Sequence, residues 1–240
     1  MNGFPSRPKV LRGAFVEYGL SLPPLMVVFQ FNPDQLQRSR SLGFEAPNEV
    51  LVVPQLAEDG ETTRRERPQQ LRKWHSEQSD LEAIRAQQIV SVQEETLSFE
   101  LRLDATDALD AGDEIAARFG VAPTLSTLEL MTYPKGAGVL SEALDAVLGT
   151  EKGYQFSPPE NPPLVLFLWG IQRVLPVNIG SMTITETEFD WMLNPIRATV
   201  AVSLTVIEGR NPVFRFTQGA KETMSIINAA QVVTDLVIPR

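Results

Sequence analysis

The amino-acid sequence predicts a mainly β (α+β) fold built from antiparallel strands. Residues 96–104 and 196–206 alternate between apolar and polar side chains, and residues 164–169 form a short run that is entirely apolar. Successive side chains of a strand point to opposite faces, so clean alternation is typical of a strand buried on one side. Four predicted strands lie between residues 164 and 206 with little room for helices, which indicates antiparallel neighbours.

The composition of the chain indicates a globular protein and argues against several kinds of partner and site. The chain has 240 residues, 43% of them hydrophobic, which is typical of a globular chain with a real core. Its net charge of −9 makes nucleic acid and anionic membranes unfavourable partners. The absence of cysteine excludes disulfides and thiolate metal sites, and it fits both a reducing cytoplasm and an exported protein without disulfides. The longest strongly apolar run, 164–169, is far shorter than the roughly 20 residues that cross a bilayer.

The N-terminal part predicts three strands. Val10–Tyr18 mixes β-branched and aromatic residues, and Leu25–Phe31 is an apolar run that predicts a buried strand. A third strand is expected over Gln37–Leu42, and Thr96–Asp104 follows later with the clean alternation described above.

Between these strands, Glu45–Gln88 is rich in charged residues and glutamine. This composition predicts a long insertion, at about 45–90, that is partly extended and partly helical near Ser79–Gln88. A structureless loop of this length is unusual inside a domain. We therefore expect the insertion to be mobile in an isolated subunit and to become ordered against a neighbour, with Arg64, Arg65 and Trp74 as candidate interface residues.

Helices are predicted in three later regions. One covers much of Ala108–Phe119 and is closed by Gly120, and a second covers Pro123–Met131. A short helical segment is expected around Leu140–Leu148. The apolar period then changes after Pro212, which predicts a terminal helix from Thr217 or Gly219 and divides the chain into a β domain, 1–208, and a helical extension, 209–240.

The C-terminal half predicts four strands, at Leu164–Trp169, Arg173–Ile179, Ser181–Phe189 and Ile196–Val206. The even-numbered residues of the last strand are apolar and are expected to face the core. The polar residues of its other face are candidates for an interface: Arg197, Thr199, Ser203 and Thr205.

No constellation of residues supports an enzyme, a cofactor or a metal site. His75, the single histidine, lies in the polar insertion and is expected on the surface. The four aspartates at 104, 107, 110 and 113 do not fit a calcium loop and are better explained by helix capping and first-turn charge. Glu186, Glu188 and Asp190 could form a carboxylate pair, but nothing in the sequence sets their separation. The Gly-rich segment 135–138 matches no phosphate-binding spacing.

Four stretches in order resemble the tube-initiator (LysM-type baseplate) proteins of contractile injection systems, which are related to phage tails. The stretches are VVFQFNPDQLQRSRS at 27–41, ETLSFELRLDATDAL at 95–109, PPLVLFLWG at 162–170, and LPVNIGSMTITETEFDWMLNPIRATVAVSLTVIE at 175–208. The order and spacing of the four stretches span most of the chain, from residue 27 to residue 208, and the ordered set is more specific than any single stretch. No LysM module follows Arg210, so peptidoglycan binding through such a module is not implied.

The resemblance implies a tail-tube-like barrel or sandwich of two antiparallel sheets with flanking helices. Six copies would form a ring that joins the spike to the inner tube and nucleates tube assembly. The implied partners are the spike, the inner tube protein or a second tube initiator, and baseplate wedge or sheath components, in a particle that is intracellular, membrane-docked or released. Two other classes stay open: a monomeric β-sandwich module that binds a ligand, and a hydrolase that uses the carboxylates at 186, 188 and 190.

Overall fold

The computed structural model describes residues 11–19, 25–54, 62–134 and 161–237. The chain divides into two compact units, one formed by Met1–Ser39 together with Glu95–Arg240, and the other by Arg40–Glu94. The described residues form eleven strands: β1 Ala14–Glu17, β2 Met26–Val28, β3 Gln37–Ser39, β4 Leu42–Glu45, β5 Glu49–Pro54, β6 Thr62–Arg67, β7 Ile89–Val92, β8 Thr96–Asp104, β9 Val165–Leu168, β10 Val174–Phe189 and β11 Pro195–Val206. They also form six helices: α1 Leu71–Glu77, α2 Leu81–Gln87, α3 Thr106–Asp110, α4 Glu114–Phe119, α5 Ala122–Leu130 and α6 Pro212–Val237.

The first unit is built on one seven-stranded sheet in the order β2-β1-β9-β10-β11-β8-β3, with every neighbouring pair antiparallel. The prediction of a mainly β fold is therefore confirmed. β8 has the predicted bounds, and β11 begins one residue before the predicted Ile196. The even-numbered residues of β11 from Ala198 to Val206 are buried, as their alternation predicts.

The sheet curls strongly, and four phenylalanine rings fill the inside of the curl. β1 and β8 are four strand spacings apart, which would be about 19 Å in a flat sheet. The ring centroids of Phe15 on β1 and Phe99 on β8 are nevertheless only 6.0 Å apart. Phe29 and Phe167 complete the cluster, with centroids 5.9 Å and 5.4 Å from Phe99. Apolar burial on the concave side therefore brings distant strands of one sheet together.

Two hydrogen bonds made by the Gln30 side chain, which we call the clasp, also hold the sheet in its curled form. The Gln30 amide donates to the Asp104 carbonyl oxygen at 2.6 Å, and its oxygen accepts from the Asp104 N–H at 2.8 Å. The Gln30 side chain thus satisfies both backbone groups of a β8 residue, as a neighbouring strand would. Gln30 lies just beyond β2, so the clasp links the edge of the sheet to the far end of β8.

Several predicted strands differ from the observed ones. The predicted buried strand at Leu25–Phe31 is the short edge strand β2, in which Val27 is buried while Met26 and Val28 are exposed. The predicted strand at Gln37–Leu42 is interrupted after Ser39 and continues as β4 in the second unit.

The third difference concerns two predicted strands that are one. Residues 174–189 form the single strand β10, and a bulge at Gly180 shifts its register against β11 between Ile179 and Ser181. A glycine in a strand can mark a bulge as well as a break. The sequence signal was therefore real, but it indicated an extra residue within one long strand.

The helices follow local capping chemistry. The predicted helix at Ala108–Phe119 is wrong as one element, because Gly112 adopts a φ of 74° and separates α3 from α4. Helix α4 then begins after Asp113, whose side chain caps it by accepting from the N–H groups of Ile115 and Ala116 at 2.9 Å. Helix α5 matches the predicted Pro123–Met131 within a residue at each end, and the segment at Leu140–Leu148 lies outside the described residues.

The predicted start of the terminal helix at Thr217 or Gly219 is also wrong. α6 begins at Pro212, because the Asn211 side chain accepts from the Phe214 N–H at 2.7 Å and proline suits the first helical position. The Thr217 hydroxyl then anchors the helix to β10 by donating to the Val174 carbonyl at 2.6 Å and accepting from its N–H at 3.1 Å.

The second unit contains the ladders β4–β7 and β5–β6 and the helices α1 and α2. The predicted helix near Ser79–Gln88 is α2, and α1 was not predicted. The unit spans 40–94 rather than about 45–90. Its expected dependence on a neighbouring subunit stays a prediction.

The core of the sheet provides a direct test of the β11 assignment. Val202 is 3% exposed, so Val202→Asp buries a carboxylate without a partner and should lower the free energy of unfolding by about 3 kcal/mol or more. Ser203→Asp, one residue away on the half-buried polar face, should cost much less. Chemical denaturation of both variants measures the difference, and equal stabilities would contradict the assigned faces.

Candidate functional site

Three neighbouring strands of the sheet present a continuous polar face. The registers place its side chains in rows that run from β8 across β11 to β10: Ser98, Ser203 and Ser181; Glu100, Ala201 and Thr183; Arg102, Thr199 and Thr185; Asp104, Arg197 and Thr187. Most of these residues are small and carry hydroxyl groups. The polar face is thus the reverse side of the alternation that buries Val202 and Leu204.

The polar face forms the floor of a concavity of about 960 Å³. The segment from Phe31 to Gln37 supplies a wall, and the floor includes Arg197, Thr199 and Ser203. Three of the four residues predicted on this face therefore lie together in one depression. Thr205, the fourth, is half-buried further along β11, opposite Thr96 and Asn178.

Arg197 joins the three strands at one end of this face. Its Nε donates to Asp104 Oδ2 at 2.8 Å, and an NH group donates to Glu188 Oε1 at 2.7 Å. The hydrogen bond from Arg197 to Asp104 and the charges of both carboxylates raise the pKa of Arg197. Burial raises the pKa of Asp104, but hydrogen bonds from Thr106 and Arg197 outweigh it and hold that pKa below its ordinary value of 3.8. Arg197 therefore stabilises the fold by linking β8, β10 and β11, and it also lines the concavity.

A buried carboxylate anchors the opposite end of β8. The Glu95 side chain is 7% exposed and lies 3.1 Å from Lys221 Nζ and 3.6 Å from an Arg38 nitrogen. Burial lowers the pKa of nearby Arg173, the charge of Arg38 lowers it further, and Glu95 opposes both effects. Glu95 therefore ties β3 and α6 to the start of β8.

Among the described residues, the edge of β10 is open along most of its length. β9 covers β10 only from Val174 to Val177, and among the described residues no strand pairs with the remainder on that side. On β11, the backbones of Ile196 and Val206 face β8, since they bond to Ala105 and Glu95. Backbone direction alternates along a strand, so the odd-numbered residues of β11 face β10.

The register then identifies which backbone groups of β10 have no strand partner in the described part of the chain. Odd-numbered β11 residues lie opposite odd-numbered β10 residues from Ser181 to Thr187. The N–H and C=O groups of the even-numbered residues therefore point away from β11: Met182, Ile184 and Glu186. We call the backbone groups of these three residues the open edge.

The β10–β11 hairpin ends in a tight turn organised by Asp190. Its Oδ1 accepts from the N–H groups of Met192 at 2.7 Å and Asn194 at 2.8 Å, and its Oδ2 accepts from the Asn194 amide at 2.9 Å. The hydrogen bond from the Asn194 side chain is the main reason that the pKa of Asp190 lies below its ordinary value of 3.8. Leu193 has a φ of 67° within this turn, a conformation that non-glycine residues seldom adopt.

The three carboxylates considered for hydrolysis have different surroundings. Glu188 binds Arg197, and Asp190 binds the turn. Glu186 is exposed and lies opposite Ala198, on the face that carries the core further along the strand. Of the four aspartates at 104–113, Asp113 caps α4, so the capping interpretation is confirmed for this residue. The Asp104 carboxylate accepts from the Thr106 N–H, but the N-cap residue of α3 is Ala105.

The candidates in the insertion have other roles or no described side chain. Trp74, a predicted interface residue, is 4% exposed, and its role in an interface stays a prediction. His75 is exposed, with its ring 5.3 Å from that of Trp74. Arg64 and Arg65 lie on β6, and their side chains are outside the described ones. The segment 135–138 is likewise outside the described residues.

The described part of the chain contains neither a metal-ligand cluster nor a membrane-spanning helix. No group of three or more His, Cys, Asp or Glu side chains there is placed to hold a metal ion. No described helix combines the length and apolarity needed to span a membrane.

Comparison with known proteins leaves the family unassigned. No protein-family model matches the chain, and no curated protein is similar to it at a significant level. The resemblance of the four stretches to tube initiators therefore stays a prediction.

Asp190 should control the order of the hairpin turn. Asp190→Ala removes three hydrogen bonds, so we expect the amides of Met192 and Asn194 to exchange with deuterium roughly tenfold faster or more. Because the folded pKa is depressed, this stabilisation is present above the unfolded pKa of about 3.9 and is lost as pH falls through the folded value. Exchange in wild type that already matches the variant at pH 7 would contradict this role.

Proposed function

We propose that the chain is a structural subunit that assembles into a ring through its open edge and serves as a tube initiator of a contractile injection system. The open edge is the observation that supports this proposal most directly. An unpaired strand edge of this length recruits another chain, because its N–H and C=O groups gain partners there. Cyclic symmetry then satisfies every edge and stops further growth.

The polar face supports the same proposal. In a closed ring, the β10–β11 hairpin of each copy continues the sheet of its neighbour, and the small hydroxyl side chains line the lumen. Serine and threonine leave width for cargo and hold it weakly. The curl of the sheet around its phenylalanine cluster suits the proposed barrel-like subunit, flanked by α5 and α6.

The remaining parts of the proposal come from the family resemblance. The ring would hold six copies and lie between the spike and the inner tube protein or a second tube initiator, next to baseplate wedge or sheath components. Synthesis and assembly would be cytoplasmic, and the particle would act within the cell, at a membrane or after release. The role is structural, without catalysis or cofactor.

A second function is favoured by the concavity on the polar face. Its volume of about 960 Å³ is in the range of small-molecule pockets, so a monomeric ligand-binding module would use the same surface. The two functions predict different molecular masses of the protein in solution. A ligand-binding module is a stable monomer, whereas a ring subunit forms hexamers alone or when mixed with its neighbours.

A proline in the open edge separates these alternatives. Glu186→Pro removes an N–H that points away from β11, so it should leave the β10–β11 ladder intact while it removes a donor from the ring contact. We expect the subunit to remain folded and self-association to weaken roughly tenfold or more. Glu186→Ala is the control, since it removes the same side chain and keeps the N–H.

Light scattering and electron microscopy of the three proteins give the answer. Six-fold rings in wild type and Glu186→Ala, but monomers in Glu186→Pro, would support assembly through the open edge. Rings that persist unchanged in Glu186→Pro would reject this edge as the contact. A wild-type protein that stays monomeric, also in the presence of spike and tube proteins, would reject the ring.

A further inference from the structure

The end of the β10–β11 hairpin exposes a group of large apolar side chains. Trp191 is 90% exposed, Leu193 79%, Met192 57% and Phe189 49%. Helix α4 is attached to the same end, because the Asn194 side chain donates to the Arg118 carbonyl at 2.9 Å. That helix adds Ile115 and Phe119, which are 62% and 51% exposed. We call these six side chains the hairpin tip.

The hairpin tip is presented by an ordered turn. The five described hydrogen bonds between Asp190 and residues 192–194 include three made by its carboxylate. Glu188 and Leu193 both have positive φ angles, at 56° and 67°. Such conformations are unfavourable for non-glycine residues and persist only where the surroundings enforce them. Exposed tryptophan on a pre-ordered turn is the arrangement found at the centre of binding surfaces, because little entropy is lost on docking.

The charge around the hairpin tip indicates what kind of partner fits it. Residues 104–120 and 186–197, which form this end of the sheet, hold eight carboxylate residues and only two basic ones, Arg118 and Arg197. This end therefore carries six of the nine net negative charges of the whole chain. A second copy that docked through the same surface would bring these charges face to face, which is unfavourable.

We infer that the hairpin tip docks onto a different protein, whose surface combines an apolar pocket for Trp191 with a rim of lysine and arginine. The apolar side chains lose their contact with water in that pocket. The surrounding carboxylates gain opposite charges, which accelerates association and selects against acidic partners. This contact goes beyond ring formation and does not depend on it, since the open edge consists of β10 backbone groups, whereas five of the six hairpin-tip side chains lie outside β10.

The test uses the whole chain and two designed peptides as probes. One is an 18-residue amphipathic helix of leucine and lysine, and the other replaces each lysine with glutamate. We expect the lysine peptide to bind at low salt and Trp191→Ser to weaken it about tenfold or more. Raising the salt concentration should also weaken binding, because the rim contacts are screened. The glutamate peptide should not bind.

Two matched variants locate the contact. Ile171→Ser removes another exposed apolar side chain, 76% exposed in the turn before β10, and should bind the lysine peptide like wild type. Asp110→Lys changes an exposed carboxylate of α3 and should weaken binding about threefold. Trp191→Ser should keep the melting temperature of wild type, since its side chain is nearly free of contacts.

Several outcomes would overturn the inference. Binding of the lysine peptide that is equal in wild type and Trp191→Ser would exclude the hairpin tip as its site. Equal binding of both peptides would exclude the basic rim. A drop in the self-associated mass of the protein in Trp191→Ser, measured by sedimentation without peptide, would identify a second copy as the partner instead.

Discussion

The closure of the sheet onto its four phenylalanine rings is the constraint on which the rest of the first unit depends. A flat seven-stranded sheet would leave Phe15, Phe99 and Phe167 on an exposed face, whereas the curl buries all three to 6% exposure or less. The Gln30 clasp on Asp104 holds this curl at the edge. The carboxylate of Asp104 also binds Arg197. The residue that the clasp holds through its backbone therefore also positions an arginine of the polar face. Core, curl and outer face are therefore one coupled arrangement.

The sequence was most informative where each residue experiences one simple environment. β8 and β11 are half-buried central strands, so their alternation predicted both the bounds and the buried face. It was least informative where one signal has two structural meanings. Gly180 could end a strand or form a bulge, and only the pairing of β10 with β11 decides between them. Gly112 could be tolerated within a helix, yet it separates α3 from α4. The apolar period of α6 begins several residues after Asn211, so it does not indicate the helix start that Asn211 caps.

The candidate surfaces show the same division. Arg197, Thr199 and Ser203 were predicted because a strand with one apolar face must have another. The open edge was not predictable, since it depends on β9 being shorter than β10. The sequence indicates the turn at the hairpin tip, because aspartate, asparagine and proline are typical turn residues. It also shows that the turn is unusually apolar, since tryptophan, methionine and leucine lie between them. What the sequence lacked was the exposure of Trp191, which only the tertiary structure provides.

The chain leaves the first unit after Ser39 and returns to it at Glu95, at neighbouring points of the sheet. Ser39 and Thr96 lie directly opposite each other at the ends of β3 and β8, and Arg38 and Glu95 reinforce the junction. In topological terms, residues 40–94 occupy the position of a hairpin loop between adjacent antiparallel strands. Such a loop can be lengthened or replaced at small entropic cost, because the closure term grows only with the logarithm of its length. Residues 40–94 can therefore change in length while β3 and β8 keep their register.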